Sequence, residues 1–287
     1  MDELVSIVIP AFNCEDRIEE TIKSALDQSY SNVEVIVVDD CSSDNTINVC
    51  KKFGDRVNLV CFDSNKGGSA ARNAGVLASK GKFISFLDSD DLFYRDKVEK
   101  QLNKMLVSGK DLSFCCAHDE LGNKLGFLNE SDFPFGLLSG KNDIVSSSAI
   151  MISRELFDVI KGFDESFPRK QDVEFFTRAS LSESPIFVKH PLFKKINSGS
   201  PSYANVKSGI NLLDDKFIFL KKEFSLGKRL RVKSFNYIRL FELSLRERNL
   251  KFIYYFLMSF LTCPLMSFYR LRRYINKLVL FFRPDQG

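Results

Sequence analysis

The sequence predicts an α/β fold: a mostly parallel sheet flanked by helices, followed by a helical C-terminal region. Short, near-continuous apolar runs alternate with amphipathic stretches through the first part of the chain, the pattern of strands buried on both faces by crossover helices. Polar or Gly-bearing loops follow the carboxyl end of each run. Charge is divided as well. Residues 1–215 carry 25 Lys and Arg against 33 Asp and Glu, whereas 216–287 carry 16 against 4. An acidic body and a basic, aromatic-rich tail imply different partners, and the boundary is placed at 205/206.

In order, Val5–Pro10 is β-branched, short and stopped by proline, so it reads as a buried strand. Glu15–Tyr30 follows as a helix, with Ile18, Ile22, Ala25 and Leu26 on one face. Val33–Val38 is the second strand and ends in Asp39-Asp40. Asp44-Asn45-Thr46 suits the start of a helix over 45–53. Val57–Phe62 is the third strand, and Asn65–Ser69 leads into a helix over Ala70–Ser79. Lys82–Leu87 is the fourth strand, ending at Asp88-Ser89-Asp90-Asp91. A helix over Tyr94–Leu106 and a strand over Asp111–His118 come next. Glu120–Gly140 is loop-rich, and Val145–Ile152 reads as a strand carrying three serines. Arg154–Ile160 is a short helix, Gln171 opens another, and Ile186–Val188 is read as an edge strand. The Gly/Pro/Ser-rich segment 197–205 suits a boundary.

In an open α/β sheet, ligands bind beyond the carboxyl ends of the strands. Pro10–Asn13, Asp39-Asp40, Asn65–Ser69 and Asp88–Asp91 all fall there, so four loops converge on one edge. The three carboxylates of Asp88–Asp91 suit a hard divalent cation such as Mg²⁺ or Mn²⁺; the alternative is an Asp-rich turn. Gly67-Gly68 permits close approach to a nucleotide, or serves a tight turn before a helix. The seven cysteines are odd in number and lack Cys-x-x-Cys pairs, which suits reduced thiols in a cytosolic compartment. No secretory signal is evident. With two histidines, His118 and His190, a zinc site is not expected.

Four motifs in order resemble the family 2 glycosyltransferases: Val5–Asn13, Val38–Thr46, Asn65–Gly75 and Phe86–Asp91. The resemblance covers about 4–190 and implies a GT-A (Rossmann-like) fold. It implies inverting transfer from a nucleotide-sugar donor, usually UDP-linked, assisted by Mn²⁺ or Mg²⁺. By position, Asp39 would accept from the uracil N–H, and Pro10, Ala11 and Asn13 would line the nucleotide pocket. Asn65, Gly67 and Arg72 would shape the base and phosphate region. Asp88 would sit near ribose and metal, and Asp90 would bind the metal. After Gly162-Phe163-Asp164-Glu165, relatives carry Glu-Asp where this chain has Gln171-Asp172. Asp172 is the implied general base, and Gln171 removes a neighbouring negative charge. The other reading of Asp172 is an acid favoured by a helix N-terminus. Arg178 suits either donor phosphates or a helix carboxylate.

The acceptor implied is a glycan or lipid-linked oligosaccharide in cell-surface polysaccharide biosynthesis. Phe252–Tyr269 is an 18-residue stretch without charge, broken by Pro264 and flanked by Arg246, Arg248 and Lys251 before it and Arg270, Arg272 and Arg273 after it. It is short for a span. We read it as helices at an anionic membrane surface, on the cytosolic face; a packed helical subdomain, a homodimer contact and a true span are the alternatives. No nucleic-acid fold motif accompanies the basic tail. A nucleotidyltransferase is disfavoured because Pro10-Ala11-Phe12-Asn13-Cys14 stands where a Gly-rich, basic loop would be. Intact Asp39, Asp88, Asp90 and Asp172 argue against an inactive scaffold.

Overall fold

The structure, a computed structural model, describes residues 2–126, 133–138, 146–196 and 202–263. The chain divides into two compact units, Met1–Leu137 with Lys141–Gly199 and Leu138–Gly140 with Ser200–Gly287.

The first unit begins as the sequence pattern dictates. Strands β1 (Val5–Ala11), β2 (Val33–Asp39), β3 (Asn58–Cys61) and β4 (Phe83–Phe86) alternate with helices α1 (Ile18–Leu26), α2 (Thr46–Lys51) and α3 (Gly68–Leu77). These four strands are parallel, with β1 central to β2 and β4. Ala11, Asp39 and Cys61 pair in one row, so the carboxyl ends of three strands lie level. Alternate residues serve opposite faces. Val5, Ile7 and Ile9 pack with Ile18, Ile22 and Ala25 of α1 and Val49 of α2. On the other face, a Cβ on Gly75 would lie 2.3 Å from Val8 Cγ1, so glycine is what lets α3 press against β1.

Beyond β4 the pairing is mixed. After β5 (Leu92–Phe93), α4 (Lys97–Ser108), β6 (Leu112–His118), β7 (Lys124–Leu125) and α5 (Phe133–Leu138) comes β8 (Ile150–Ser153), antiparallel to both β4 and β6. Helices α6 (Arg154–Val159) and α7 (Gln171–Ser182) then lead to β9 (Ile186–Lys194), which is parallel to β6. The strand order is β3-β2-β1-β4-β8-β6-β9-β5, with β7 on β6.

Two expectations change. Of the strand read over 145–152, Ser147–Ala149 form a 3₁₀ turn and strand pairing begins only at β8, because the serine hydroxyls bind carboxylates rather than face an apolar layer; Val145 lies outside the described residues. The strand at Ile186–Val188 runs on to Lys194; Ile186–Val188 pair with β6 on one side only, and β5 covers the other side just at Phe193 and Lys194. Register shifts at Cys115–Ala117 accommodate Pro191, the irregular position where a proline fits a sheet.

Aromatic packing seats α6 and α7. Phe86 of β4 meets Phe163 edge-on at 5.2 Å, and Phe163 stacks on Phe175 with centroids 3.9 Å apart. The second unit contains α8 (Tyr203–Lys216), α9 (Ile218–Glu223), α10 (Leu226–Arg246) and α11 (Lys251–Thr262). Its core joins Tyr203, Val206 and Ile210 to Leu240, Phe241, Phe252 and Tyr255. Among the described residues, no helix is long and apolar enough to cross a membrane. The boundary segment 197–201 and the stretch from Pro264 onward lie outside them.

Candidate active site

The loops after β1 and β2 are laced together. Asp40 N–H donates to the Ala11 carbonyl (2.8 Å), continuing the ladder that carries Pro10 and Ala11. Asn13, in a left-handed conformation (φ 46°), accepts from Ser43 N–H at 2.8 Å, and its own N–H donates to Ser42 Oγ at 2.9 Å. Two adjacent carboxylates then diverge in role. Asp40 is closed: Oδ1 accepts from Lys66 N–H (2.6 Å) and Oδ2 from Gly67 N–H (2.8 Å). Asn65 donates to the Asp40 carbonyl at 3.2 Å. Gly67, at φ 89°, makes the turn into α3 that a side chain would strain. Asp39 is open: Oδ2 accepts from Ser42 N–H (2.9 Å), while Oδ1 is buried with no partner. A buried acceptor without a donor is costly, and it fits a ligand N–H.

Helix α3 presents Arg72 and Asn73 to different neighbours. Arg72 donates to Asp88 Oδ1 at 2.5 Å and to the Gly68 carbonyl at 3.1 Å, lies over the Phe163 ring, and leaves Nε unpartnered. Asn73 donates to the Phe163 carbonyl and Glu165 Oε1, both at 2.9 Å, and accepts from Phe163 N–H at 2.9 Å. Gly162 fits here at φ 62°, where a Cβ would approach Asn73 Oδ1 to 2.7 Å.

The acidic corner after β4 is organised by the serines before β8. Ser148 Oγ accepts from Asp88 N–H at 3.0 Å and donates to Asp91 Oδ2 at 2.6 Å. Ser146 Oγ lies 3.1 Å from both Asp88 Oδ2 and Asp91 Oδ2. Ser147 Oγ donates to Asp172 Oδ1 at 2.5 Å. Asp172, in the first turn of α7, is thus brought to the same corner. Asp90 is half-buried and takes no hydrogen bond or ion pair among the described residues. Asp91 is fully buried, with Oδ1 accepting from Ile196 N–H at 3.0 Å.

Electrostatics separate these acids. Burial opposes ionisation of Asp88, but Arg72 and then Lys195 outweigh it and hold its carboxyl below the usual range. Burial wins at Asp91, with Asp88 adding repulsion, and pushes it up to about 7. Burial also raises Asp172, against the field of Arg72 and the Ser147 hydrogen bond. A raised carboxyl in a polar corner is the setting of a general base. For a divalent ion, Asp88 and Asp90 are hard oxygen ligands. Among the described residues, no three His, Cys, Asp or Glu cluster to hold an ion unaided. Those two residues fit an ion that takes its other ligands from phosphate and water.

The structure therefore brings Asp39, Arg72, Asp88, Asp90 and Asp172 to the carboxyl edge, while Asn65 and Gly67 shape a loop closed on Asp40. Arg178 pairs with Glu174 and donates to the Ile160 and Gly162 carbonyls, so it supports the turn before α7. His118 bonds Tyr94 Oη at 2.9 Å. Sequence reasoning missed the roles of Ser146–Ser148, Asn73, Asp91 and Lys195. The signal available was three consecutive hydroxyls in an otherwise apolar strand.

Fold and site together define a glycosyltransferase with a GT-A type sheet. The chain belongs to glycosyl transferase family 2, whose model matches residues 6–158. An uncharacterized glycosyltransferase of Haemophilus influenzae is 33% identical over 254 residues, covering 83% of this chain and 94% of that protein. Over 105 residues the chain is 44% identical to an Escherichia coli UDP-Glc:alpha-D-GlcNAc-diphosphoundecaprenol beta-1,3-glucosyltransferase, covering 36% of this chain and 41% of the relative. With the putative teichuronic acid biosynthesis glycosyltransferase of Bacillus subtilis it shares 41% identity over 114 residues, covering 39% of this chain and 45% of the relative. The chain thus spans under half of those two relatives. In fold it is similar to S. aureus TarS in complex with UDP-GlcNAc (TM-score 0.60, 16% identity, 90% of this chain and 89% of that one). It is likewise similar to a Pyrobaculum calidifontis mannosyltransferase in complex with GDP-Man and Mn²⁺ (TM-score 0.61, 16% identity, 85% and 72%).

Proposed function

We propose that this protein moves a sugar, with inversion, from a nucleotide-sugar donor, UDP-linked, to a hydroxyl of a glycan or lipid-linked oligosaccharide. The reading is carried by the split of the acids: Asp88 and Asp90 at the end of β4, Asp172 entering separately from α7, and the unpartnered Asp39 Oδ1 behind them. Asp39 Oδ1 would accept the uracil N–H, which uracil offers and cytosine at the same position does not. Asp172 would take the proton of the acceptor hydroxyl as its oxygen attacks the anomeric carbon. The bond from that carbon to the diphosphate breaks on the opposite face, and the diphosphate leaves with the electron pair. Ser147 orients the base by holding Oδ1, leaving Oδ2 for the proton. A bound Mg²⁺ or Mn²⁺, held by Asp90 and Asp88, would neutralise charge developing on the diphosphate oxygens.

A lipid-linked acceptor places the reaction at a membrane surface on the cytosolic side. In support, Leu250, Ile253, Tyr254, Leu257 and Leu261 are exposed on and just before α11, beside exposed Arg246, Arg248 and Lys251. That combination suits insertion at an anionic interface.

The test is a thermal-shift panel of UDP-, GDP- and CDP-linked sugars with Mn²⁺, since a bound donor raises Tm by mass action, followed by transfer assays. A UDP-sugar should stabilise the wild type, and excess chelator or Asp90→Ala should abolish transfer with the unliganded Tm unchanged. Full turnover in chelator would remove the metal from the reading. Stabilisation by CDP-sugars alone would remove Asp39 as the uracil reader.

A further inference from the structure

We infer that Lys195 is a further donor-binding residue, whose ammonium contacts the leaving diphosphate, and that Asp91 is the positioning residue that sets it there. The inference rests on the donor reading above. Lys195 follows the last residue of β9, where Lys194 pairs with His118 of β6 and Leu92 of β5. Two hydrogen bonds clamp the backbone around it. Its own N–H donates to the His118 carbonyl at 2.7 Å, and the next N–H, of Ile196, donates to Asp91 Oδ1 at 3.0 Å. The second oxygen of Asp91 is held by Ser146 and Ser148. A fully buried carboxylate 105 residues away in sequence thereby fixes the chain on the far side of Lys195.

The side chain that this clamp presents is half-buried. Its positive charge acts on Asp88, Asp91 and Asp172 alike. Asp91, which fixes the backbone next to Lys195, shares the Ser146 hydroxyl with Asp88, so the clamp anchors Lys195 at the acidic corner. Yet the ammonium makes no hydrogen bond or ion pair among the described residues. Arg72 differs: it is committed to Asp88 and the Gly68 carbonyl. Lys195 is therefore a cation held near carboxylates but spent on none of them. A diphosphate entering beside Asp88, Asp90, Asp91 and Asp172 needs such a charge, and away from bulk water the attraction is strong. The role also accounts for Asp91, which binds neither donor nor acceptor in the proposed reaction and is nevertheless buried and fully hydrogen-bonded.

The experiment is calorimetric titration of the full chain in Mn²⁺ with uridine, UMP and UDP, comparing wild type, Lys195→Met and Lys195→Arg. Wild type should bind UDP well above uridine. Lys195→Met should weaken UDP by about 10- to 100-fold while uridine affinity and unliganded Tm stay unchanged, and Lys195→Arg should recover most of the loss. In a double-mutant cycle, Asp91→Ala should cost UDP affinity in the wild-type background and little in Lys195→Met. Equal UDP affinity in Lys195→Met and wild type overturns the inference, including the case where only the pH profile of transfer moves. A wild type that prefers no nucleoside diphosphate over its nucleoside overturns the donor reading itself, and this inference with it.

Discussion

The two edges of the sheet solve the same problem in opposite ways. Both hold charged side chains among backbone groups. At the amino edge, Glu34 Oε1 accepts from Ser6 Oγ (2.7 Å), Lys80 N–H (2.5 Å) and Gly81 N–H (2.9 Å). Each guanidinium nitrogen of Arg154 donates there, to the Gly81 and Val76 carbonyls and to Ser79 Oγ. At the carboxyl edge, Asp39 Oδ1 and Arg72 Nε are buried without partners, and the Lys195 ammonium is unpaired among the described residues. Unmet hydrogen-bonding capacity is destabilising; among buried charged side chains of the described residues it falls on Asp39 and Arg72, where a ligand can supply the missing partners. Met capacity marks the edge that only has to hold.

That contrast sets the expected behaviour of variants: the carboxyl edge should govern rate and affinity, the amino edge stability. The largest effect is at Asp172→Asn, where transfer should fall by about 10²- to 10⁴-fold with UDP-sugar affinity retained; an unchanged rate removes Asp172 as the base. Next is Asp39→Asn. It exchanges the open acceptor for a donor or a neutral amide, and should weaken uridine by about 10- to 100-fold without lowering Tm. At the other edge, a Cβ on Gly81 would meet Ser6 Oγ at 2.3 Å and Ser6 N at 2.6 Å. Gly81→Ala should therefore cost about 1–3 kcal/mol, seen as a lower Tm, with kcat in the folded protein unaltered. A Gly81→Ala enzyme that loses rate at full stability would erase the distinction between the edges. The smallest effect is the most diagnostic. With Asp172 as the proposed base, transfer would require its ionised form, so kcat/KM should drop on the acid side as pH falls through its raised pKa. Ser147 favours the ionised form, so Ser147→Ala should move that acid limb to higher pH and change the plateau by less than about tenfold.

The amino half of the first unit was readable because its strands are runs such as Val33–Val38, whose burial on both faces leaves a plain apolar signature. Asp39, Asp88 and Asp90 were readable as strand-end acids for the same reason. What escaped was decided by partners distant in the chain. Ser146–Ser148 looked like strand residues because hydroxyls carry no period that marks a 3₁₀ turn against carboxylates some 25 to 60 residues away. In sequence Asp91 is one more acid of the cluster; the Ile196 N–H on its carboxylate is a contact that only the fold makes. Lys195 offers no signal at all: a lysine at a strand end is ordinary in sequence, and only the fold shows the backbone clamp that holds it beside Asp91. The antiparallel insertion of β8 was likewise invisible, since a four-residue apolar run does not state its direction.

Asn73 has a consequence for anyone rebuilding this enzyme. It sits beside Arg72 on α3, and consecutive helical positions point about 100° apart. One residue is tied to the acid corner, the other to the turn that launches α7. A single helix thus indexes the two halves of the first unit against each other. Grafting a relative's segment from β8 to β9 to change what is glycosylated would need residue 73 to match the incoming turn. A one-residue insertion between Gly68 and Arg72 would unseat both halves at once. In modular terms, the two halves are interchangeable parts only for donors that share this coupling.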